Sequence, residues 1–307
     1  MFHPSGLPDE LVQVLVDGQA LRSKSYRGRF APSPSGPLHL GNFRTSLISW
    51  LRARLNGGIW ILRIDDLDTP RNRLGSIESI QDDLLWLGMK WDGPIVFQSK
   101  RIELYRSFLS AFKLQGKLYA CRCSRSHLLK QNSLQTKSFI YPGTCRKLDL
   151  PWTKYQGRLP SLRLKVGGDF AKTCGDVVLR RADGFIAYHL ATVIDELSLG
   201  INEVVRGKDL ENATNSQLAV IAALDQNPLL YKYAPLLMNA DGKKISKRLG
   251  GQGIDLLKKE GWKAENVIGF LAASLNLVPQ NTELSLIELL SHLKQNKNII
   301  DRILNAY

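Results

Sequence analysis

The sequence has no long apolar run and few cysteines, and these two absences narrow the class of protein first. Across 307 residues, no segment approaches the roughly 20 apolar residues that a membrane-spanning helix requires. The amino terminus carries none of the charged, apolar and cleavage regions of a secretory signal peptide. We therefore expect a cytoplasmic protein whose four cysteines are reduced. In such a protein a close cysteine cluster predicts a metal site before it predicts a disulfide.

Acidic residues are in short supply relative to basic ones. The chain has 28 Asp and Glu against 42 Lys and Arg, a formal net charge of +14. A basic surface binds phosphates by displacing their counterions, so nucleic acid is the natural partner, although an acidic membrane or simple solubility also fits. Hydrophobic residues at 44% and charged residues at 23% are typical of a globular protein.

The chain also lacks internal repeats and low-complexity tracts, and its clearest pattern is strand, loop, helix and strand. Residues 11–16 form an amphipathic stretch, and a polar connector with Ser23, Lys24 and Ser25 is expected after it. Residues 28–31 fit a strand, residues 32–37 a Pro- and Ser-rich loop, and residues 40–55 a helix that Gly57 and Gly58 end. Residues 59–64 fit a second buried strand. This βαβ order predicts a parallel sheet. Further helices are predicted at 77–87 and 101–115, with mostly helical structure after residue 256 that Pro279 interrupts.

A loop with a histidine and a glycine directly precedes the first predicted helix. Free N–H groups and the positive end of the helix dipole favour phosphate at such a place. There Gly41 permits close approach of the backbone, and His39 can donate to a phosphate oxygen. A Pro-rich turn that caps an ordinary helix is the alternative, and for His39 alone it is the better one.

A second loop, Asp-Gly-Lys-Lys-Ile-Ser-Lys-Arg at residues 241–248, carries four basic residues. Alone it fits a solvated basic turn. Paired in this order, the two loops resemble the HIGH and KMSKS motifs of class I aminoacyl-tRNA synthetases, at residues 39–42 and 244–248. The resemblance implies an α/β fold with a Rossmann-type parallel-sheet catalytic domain. It also implies an ATP site at His39, Gly41, Asn42, Lys244, Ser246 and Lys247, with His39 and Lys247 catalytic.

Two further blocks, residues 29–33 and 63–71, resemble the glutamate-specific branch of that family. Both suit L-glutamate, because Arg29 and Arg206 can hold carboxylates by paired hydrogen bonds and Asp65 can hold the ammonium. The family more often carries Glu at the position of Asp65. The resemblance implies a glutamate pocket formed by Arg29, Phe30, Ala31, Pro32, Ser33, Asp65, Tyr188 and Arg206. For Tyr188, packing in the core is the alternative.

The spacing of three cysteines predicts a metal site. Cys121 and Cys123 form a Cys-x-Cys pair and Cys145 follows, which suggests one structural Zn²⁺, whereas three buried thiols without metal are the alternative. Ordinary zinc chemistry favours His127 as fourth ligand. The layout resembles the zinc lobe of the queuosine-modifying branch of the glutamate-specific synthetases, which implies Tyr141 in that place. Cys174 lies outside the pattern and is expected to be an ordinary buried thiol.

The resemblance also implies how the chain is divided and which RNA it acts on. After residue 253 some fifty residues remain, too few for an anticodon-binding domain, which is typical of the queuosine-modifying branch. The implied partner is tRNA(Asp) carrying queuosine, and the alternatives are a shortened glutamyl-tRNA synthetase that charges a 3′ end, another nucleotidyl transferase, or a non-catalytic RNA-binding zinc module. The predicted parts are an N-terminal extension (1–26), the first half of the catalytic domain (27–118), an inserted zinc lobe (119–185), the second half (186–240), and a basic loop with a helical tail (241–307).

Lys247 provides the first test. In the implied reaction the glutamate α-carboxylate attacks the α-phosphate of ATP, supplied with Mg²⁺, and Lys247 meets the charge that develops toward pyrophosphate. Lys247→Ala should therefore lower kcat of glutamate-dependent ATP–pyrophosphate exchange by about 10²- to 10³-fold. Zinc content and fold should be unchanged, and a loss smaller than about threefold would contradict the assigned role.

Overall fold

The computed structural model describes residues 6–124, 126, 128, 140–235, 237, 254–296 and 298–305. The chain forms two compact units. The antiparallel-sheet unit comprises residues 1–21, 100–200 and 212–229, and the parallel-sheet unit comprises residues 22–99, 201–211 and 230–307. Among the described residues, no helix is long and apolar enough to span a membrane.

Strands and helices alternate along most of the described chain. In chain order the strands are β1 (Arg27–Phe30), β2 (Ile59–Ile64), β3 (Val96–Phe97), β4 (Leu118–Cys121), β5 (Ser161–Leu164), β6 (Val177–Arg180), β7 (Glu203–Gly207) and β8 (Leu230–Ala234). The helices are α1 (Asp9–Lys24), α2 (Leu40–Leu55), α3 (Ser76–Trp86), α4 (Ile102–Leu114), α5 (Gly168–Thr173), α6 (Tyr188–Ser198), α7 (Thr214–Ala223), α8 (Ile254–Lys259), α9 (Ala264–Ala273), α10 (Leu286–Lys294) and α11 (Ile299–Asn305).

The parallel-sheet unit confirms the predicted fold class. Strand β2 pairs in parallel with β1 on one side and β3 on the other, and β7 pairs in parallel with β8. Asn202 joins β7 to the free side of β1, because its N–H donates to the Arg27 carbonyl (3.0 Å) and its Oδ1 accepts from the Arg27 N–H (2.8 Å). Strand β1 therefore lies between β2 and β7, the arrangement of a doubly wound α/β sheet.

Apolar side chains of β2 and of the helices form the core of this unit. The buried cluster includes Trp60, Leu62 and Ile64 of β2, Phe43, Leu47 and Leu51 of α2, and Leu271 and Leu289 of α9 and α10. A charged group at the start of β7 is buried with partners. Glu203 accepts two hydrogen bonds from Arg52 (2.8 and 2.7 Å) and one from the Tyr26 hydroxyl (2.8 Å). Arg52 also pairs with Asp301 of α11 (2.6 Å), so one guanidinium links α2, β7 and α11.

The antiparallel-sheet unit has a three-stranded sheet in the order β4, β5, β6. Ala120 lies opposite Leu162, and the register shifts between Leu162 and Arg163. Helices α4 and α6 are joined by the fully buried Asp195, whose Oδ1 accepts from Arg101 Nε (2.7 Å) and from the Tyr105 hydroxyl (2.8 Å). A buried carboxylate with two donors is stable where an unpaired one would not be.

Most predicted elements agree with the structure to within a few residues, whereas the amino-terminal segment differs. The sequence predicted an amphipathic stretch at residues 11–16 followed by a polar connector that included Ser23 and Lys24. Helix α1 instead continues to Lys24, with Asp9 and Glu10 in its first turn and Arg22 and Lys24 in its last. Charges of these signs complement the helix dipole, which explains why the polar end remains helical. The predicted domain boundaries stay predictions.

Gly18 of α1 allows a test of helix packing. A Cβ atom at Gly18 would lie 1.9 Å from the Leu197 carbonyl oxygen of α6, so Gly18→Ala must push the two backbones apart. Helix propensity alone would raise the free energy of unfolding by about 1 kcal/mol, but overpacking should lower it by about 1–3 kcal/mol. Urea unfolding followed by circular dichroism measures the sign of the change in the free energy of unfolding. Gly167→Ala is the matched control, since its added methyl meets nothing within 4 Å, and equal midpoints for the two variants would refute the close contact.

Candidate active site and metal centre

Three predicted glutamate-binding residues lie at the carboxyl ends of adjacent parallel strands. Arg29 is the third residue of β1, Asp65 directly follows β2, and Arg206 is the fourth residue of β7. In open α/β sheets, ligands bind beyond the carboxyl ends of the strands, at the place where the strand order reverses. Because β1 has β2 on one side and β7 on the other, these residues lie at such a place.

Arg29 is 4% exposed, and its guanidinium is anchored to the neighbouring strand. Nη1 donates to the Val205 carbonyl oxygen of β7 at 2.9 Å. A guanidinium has five N–H donors in a fixed plane, so this bond sets the plane in which the remaining donors lie. The next residue, Phe30, stacks on Trp60 of β2 with ring centroids 6.2 Å apart, which holds the end of β1 against β2.

Asp65 forms a two-point ion pair with a residue that the sequence analysis missed. Arg63 Nε and Nη2 donate to the two carboxylate oxygens of Asp65 at 2.6 and 3.1 Å. Arg63 is 1% exposed although it lies in β2, and a charged residue inside an apolar strand is the signal that could have identified it. The two hydrogen bonds hold the Asp65 carboxylate in one orientation at the end of β2.

The other two carboxylates of this loop have structural partners. Asp66 accepts from the Ser99 N–H (2.7 Å) and hydroxyl (2.6 Å), and Asp68 pairs with Arg71 at 2.8 Å. Asp66 is 8% exposed and ties the loop to the residues after β3. Of the three, Asp65 lies nearest the end of β2, and its predicted role toward the ammonium stays a prediction.

Arg206 is buried against two tyrosines of the adjacent strand. Its guanidinium carbon lies 4.7 Å from the ring centroid of Tyr231 and 5.8 Å from that of Tyr233. Tyr233 is its partner in the register of β7 with β8, and the two tyrosines share a face because strand side chains alternate. Cation–π contacts of this kind orient the guanidinium. The alternating Tyr-x-Tyr of β8 is a signal that sequence analysis missed.

His39 caps α2 and thereby limits the predicted phosphate site. Its Nδ1 accepts from the Gly41 N–H (3.1 Å), and the Asn42 Oδ1 accepts from the His39 N–H (3.1 Å), so the two residues form a reciprocal capping box. A Cβ at Gly41 would lie 3.0 Å from the imidazole, so glycine makes room for this cap. A phosphate must displace His39 Nδ1 to receive the Gly41 N–H. Nδ1 accepts, so a neutral His39 carries its proton on Nε2.

The remaining predicted residues are placed as follows. Ala31 is half-buried, Pro32 is buried with its carbonyl accepting from the Asp65 N–H (3.0 Å), and Ser33 is exposed. Tyr188 begins α6 in the antiparallel-sheet unit and is 38% exposed, so its alternative as a core residue is wrong. Lys244, Ser246 and Lys247 lie outside the described residues, as does His127.

The antiparallel-sheet unit brings the three predicted cysteine ligands together. Their Sγ atoms all lie within 4.8 Å of one another, and those of Cys123 and Cys145 are 3.5 Å apart. The Tyr141 hydroxyl lies 3.3 Å from Cys121 Sγ and 3.6 Å from Cys123 Sγ. The cluster could hold a metal ion.

These distances fit the donor set of a tetrahedral zinc site. With Zn–S bonds of about 2.3 Å and a Zn–O bond of about 2.0 Å, tetrahedral edges measure about 3.8 Å between sulfurs and about 3.5 Å between sulfur and oxygen. The observed separations of 3.5, 3.3 and 3.6 Å are close to these edges. Cys121, Cys123, Cys145 and Tyr141 would hold the ion, whose chemistry would be structural cross-linking of the loops.

The surroundings of two of the thiols shift their pKa values in opposite directions. Burial raises the pKa of Cys121, but the Tyr141 hydrogen bond and the positive charge of Arg163 outweigh it and lower that pKa to about 7. Burial and the neighbouring thiols raise the pKa of Cys123 to about 11. The raised pKa favours the protonated thiol of Cys123, so binding of a metal ion there would release a proton.

A buried arginine supports this cluster, and the sequence analysis missed it. The Arg163 guanidinium lies 3.6 Å from the Tyr141 ring centroid and donates to the Asp176 carbonyl at 2.7 Å. Like Arg63, it is a charged residue in a buried strand.

Cys174 was expected to be buried, but it is partly exposed and its thiol donates to the Phe170 carbonyl at 3.2 Å. It lies at the end of the short helix α5, where solvent reaches it.

Metal analysis tests this site. Protein purified without chelator should contain about one zinc per chain, because a structural site takes four ligands from one chain. Tyr141→Phe should weaken zinc retention against a chelator by about 10- to 100-fold, and Cys145→Ser should weaken it at least as much. Cys174→Ser is the control and should retain the metal. If His127→Ala loses zinc while Tyr141→Phe keeps it, then Tyr141 is not the fourth ligand.

Comparison with known proteins gives the family. The model for the catalytic domain of class I tRNA synthetases (E and Q) matches residues 25–168 and 165–297. The glutamyl-Q tRNA(Asp) synthetase of Prochlorococcus marinus strain MIT 9313 is 57% identical over 304 residues, 99% of either chain. That of Synechococcus sp. strain CC9605 is 54% identical over 290 residues, 94% of this chain and 97% of the relative.

A solved structure agrees with these matches. A glutamate tRNA ligase from Elizabethkingia meningosepticum, determined in complex with its amino acid, has a TM-score of 0.71 and 26% identity. The match covers 87% of this chain and 64% of that ligase, so this chain spans less than two thirds of its length. The family match and the near full-length relatives together show that this chain is a ligase that belongs to the glutamyl-Q tRNA(Asp) synthetase family of class I tRNA synthetases.

Proposed function

We propose that this enzyme activates L-glutamate with ATP and transfers it to the queuosine base in the anticodon of tRNA(Asp). The observation that carries the proposal is the placement of Arg29, Asp65 and Arg206 at the carboxyl ends of three neighbouring strands. Two cations and one carboxylate match the two carboxylates and the ammonium of glutamate. The relatives at 57% and 54% identity carry the corresponding name.

In the proposed pocket, two buried guanidinium groups bind the carboxylates of glutamate and Asp65 binds its ammonium. Asp65 reaches less far than the Glu common in the family, and Arg63 holds it in one orientation by two hydrogen bonds. Arg63 is therefore a positioning residue. Phe30, at the end of β1, and Ala31, Pro32 and Ser33, which follow it, complete the part of the proposed substrate site that the parallel-sheet unit carries. Tyr188, in the other unit, stays a predicted contact by resemblance.

The first proposed step forms glutamyl-adenylate. The glutamate carboxylate attacks the α-phosphate of ATP, bound as its Mg²⁺ complex, and pyrophosphate leaves. This chemistry needs positioning and charge stabilisation rather than a side-chain nucleophile. We assign phosphate contacts to His39, Gly41 and Asn42 at the start of α2, and to Lys244, Ser246 and Lys247, with Lys247 meeting the charge that develops on pyrophosphate.

The second proposed step transfers glutamate to RNA. A hydroxyl of the queuosine cyclopentene ring attacks the activated carbonyl, an ester forms and AMP leaves. The proposed zinc at Cys121, Cys123, Tyr141 and Cys145 stays structural in both steps. The net charge of +14 favours a polyanionic substrate, and a tRNA substrate supports a cytoplasmic location.

Labelling of tRNA decides this proposal. Incubation with labelled glutamate, ATP and tRNA(Asp) should label queuosine-containing tRNA(Asp) and leave queuosine-free tRNA(Asp) unlabelled. Nuclease mapping should place the label in the anticodon loop, whose unpaired bases are open to recognition. Labelling that ignores queuosine, or that maps to the 3′-terminal adenosine, would instead establish a shortened glutamyl-tRNA synthetase. The absence of any glutamate-dependent ATP–pyrophosphate exchange would leave a non-catalytic RNA-binding module.

A further inference from the structure

The antiparallel-sheet unit carries an exposed two-residue turn whose role the proposed chemistry does not explain. Tyr155 and Arg158 exchange both backbone hydrogen bonds (3.0 and 3.1 Å) around Gln156 and Gly157. Both central residues have positive φ, 49° and 75°, as a type I′ hairpin turn requires. A left-handed glutamine is uncommon, and a Cβ at Gly157 would meet nothing within 4 Å. The tip therefore projects into open space in a fixed conformation.

The turn presents an aromatic ring with a cation against it. Tyr155 is 61% exposed, and the guanidinium carbon of Arg122 lies 5.3 Å from its ring centroid. Arg122 also holds the base of the turn, because its Nη2 donates to the carbonyls of Pro151 (3.2 Å) and Thr153 (2.9 Å). The ring is thus oriented from one side, and the exposure of the side chain leaves ring surface open to solvent.

Arg122 lies between two of the metal-ligand cysteines. Cys121 and Cys123 flank it in sequence, so whatever fixes these two thiols also fixes the backbone from which Arg122 reaches residues 151 and 153. The proposed metal site and the exposed ring are therefore joined through one side chain. We call residues 151–158 together with Arg122 the basic hairpin.

The charges around the ring are those of a site for polyanions. Lys147, Lys154 and Arg158 are exposed, whereas Asp149 is the one acidic residue among positions 140–160. Trp152, at the base of the hairpin, lies under the ammonium of Lys113, 4.7 Å from its ring centroid. Exposed tyrosine interleaved with lysine and arginine is the composition of surfaces that stack unpaired bases and bind the flanking phosphates.

We propose that the basic hairpin binds an unpaired nucleotide of the RNA substrate, with Tyr155 stacking on the base and Lys154 and Arg158 contacting adjacent phosphates. This inference rests on the proposed function, which supplies an RNA with an open loop. Stacking needs a flat, rigid, exposed ring, which the turn and Arg122 provide. Duplex RNA offers no exposed base face on which Tyr155 could stack. An acidic protein surface would pair with Lys154 and Arg158 but would leave the Tyr155 ring without a role.

The first experiment measures affinity for tRNA(Asp) by fluorescence anisotropy. Tyr155→Ala should weaken binding by about fivefold to a hundredfold, the range for loss of one stacked base, and Tyr155→Phe should bind within about twofold of the wild type because it keeps the ring. Leu148→Ala is the matched control, since Leu148 is 52% exposed on the same unit. Melting temperature and zinc content should be equal in all variants. A Tyr155→Ala affinity within twofold of wild type would overturn the proposal.

The second experiment separates the phosphate contacts from the stacking. Lys154→Ala should reduce the slope of log Kd against log salt by about one, the amount for one lost phosphate contact. Lys172→Ala is the control, because Lys172 is also exposed but faces Asp169 (3.7 Å) on α5. Equal slopes for the two variants would contradict a phosphate contact at the hairpin. A single-stranded oligonucleotide should compete with tRNA better than a duplex of equal charge, and the reverse order would exclude an unpaired base as the ligand.

These experiments distinguish failure of the hairpin proposal from failure of the proposed function. If wild-type enzyme labels queuosine but Tyr155→Ala binds tRNA normally, then the catalytic proposal stands and the hairpin proposal fails. If no queuosine is labelled but Tyr155→Ala loses RNA affinity, the hairpin binds RNA and the catalytic proposal fails.

Arg122→Lys tests the positioning role, because lysine keeps the charge but loses the planar two-carbonyl contact. It should lower tRNA affinity at unchanged zinc content, and unchanged affinity would remove Arg122 from the proposal.

Discussion

The joining of β1 to β7 is the interaction on which the candidate active site depends. Asn202 forms two hydrogen bonds with Arg27. The next residue, Glu203, accepts hydrogen bonds from Arg52 and from the Tyr26 hydroxyl. These contacts connect segments about 175 residues apart. Together with the bond from Arg29 to the Val205 carbonyl, they fix Arg206 relative to Arg29 and Asp65, since each of these residues comes from a different strand. The site is thus a product of sheet assembly rather than of any local motif.

Each of the three buried guanidinium groups at the candidate active site has a specific partner. Arg29 is anchored by the Val205 carbonyl, Arg63 by Asp65, and Arg206 by the rings of β8. Removing water from a guanidinium is costly unless such partners exist. The same contacts that offset this cost also fix the direction of the remaining donors. A pocket for a small zwitterion needs this fixed geometry, because its charges must be met without rearrangement.

Much of the architecture could be predicted from the sequence, because apolar periodicity and turn residues are local signals. Helix α2 and strand β2 agree with the predicted residues 40–55 and 59–64. Residue roles depended on resemblance to a family. What could not be predicted were features set by the tertiary fold, such as the bond from Arg29 to the Val205 carbonyl and the exposure of Tyr188. The position of Arg63 within an apolar strand indicated that it needs a partner. Its pairing with Asp65 is defined only once the end of β2 has folded.

The long interval between β1 and β7 has a consequence for synthesis of the chain on the ribosome. Strands β1 and β2 emerge early, yet the free edge of β1 has no partner until residue 202 has left the exit tunnel. Throughout that interval an unpaired strand edge is exposed, and such edges are prone to pair with other chains. Contacts of such large sequence separation also form slowly. Because β1 is only four residues long, the edge that waits for this late partner is short, which limits its pairing with other chains.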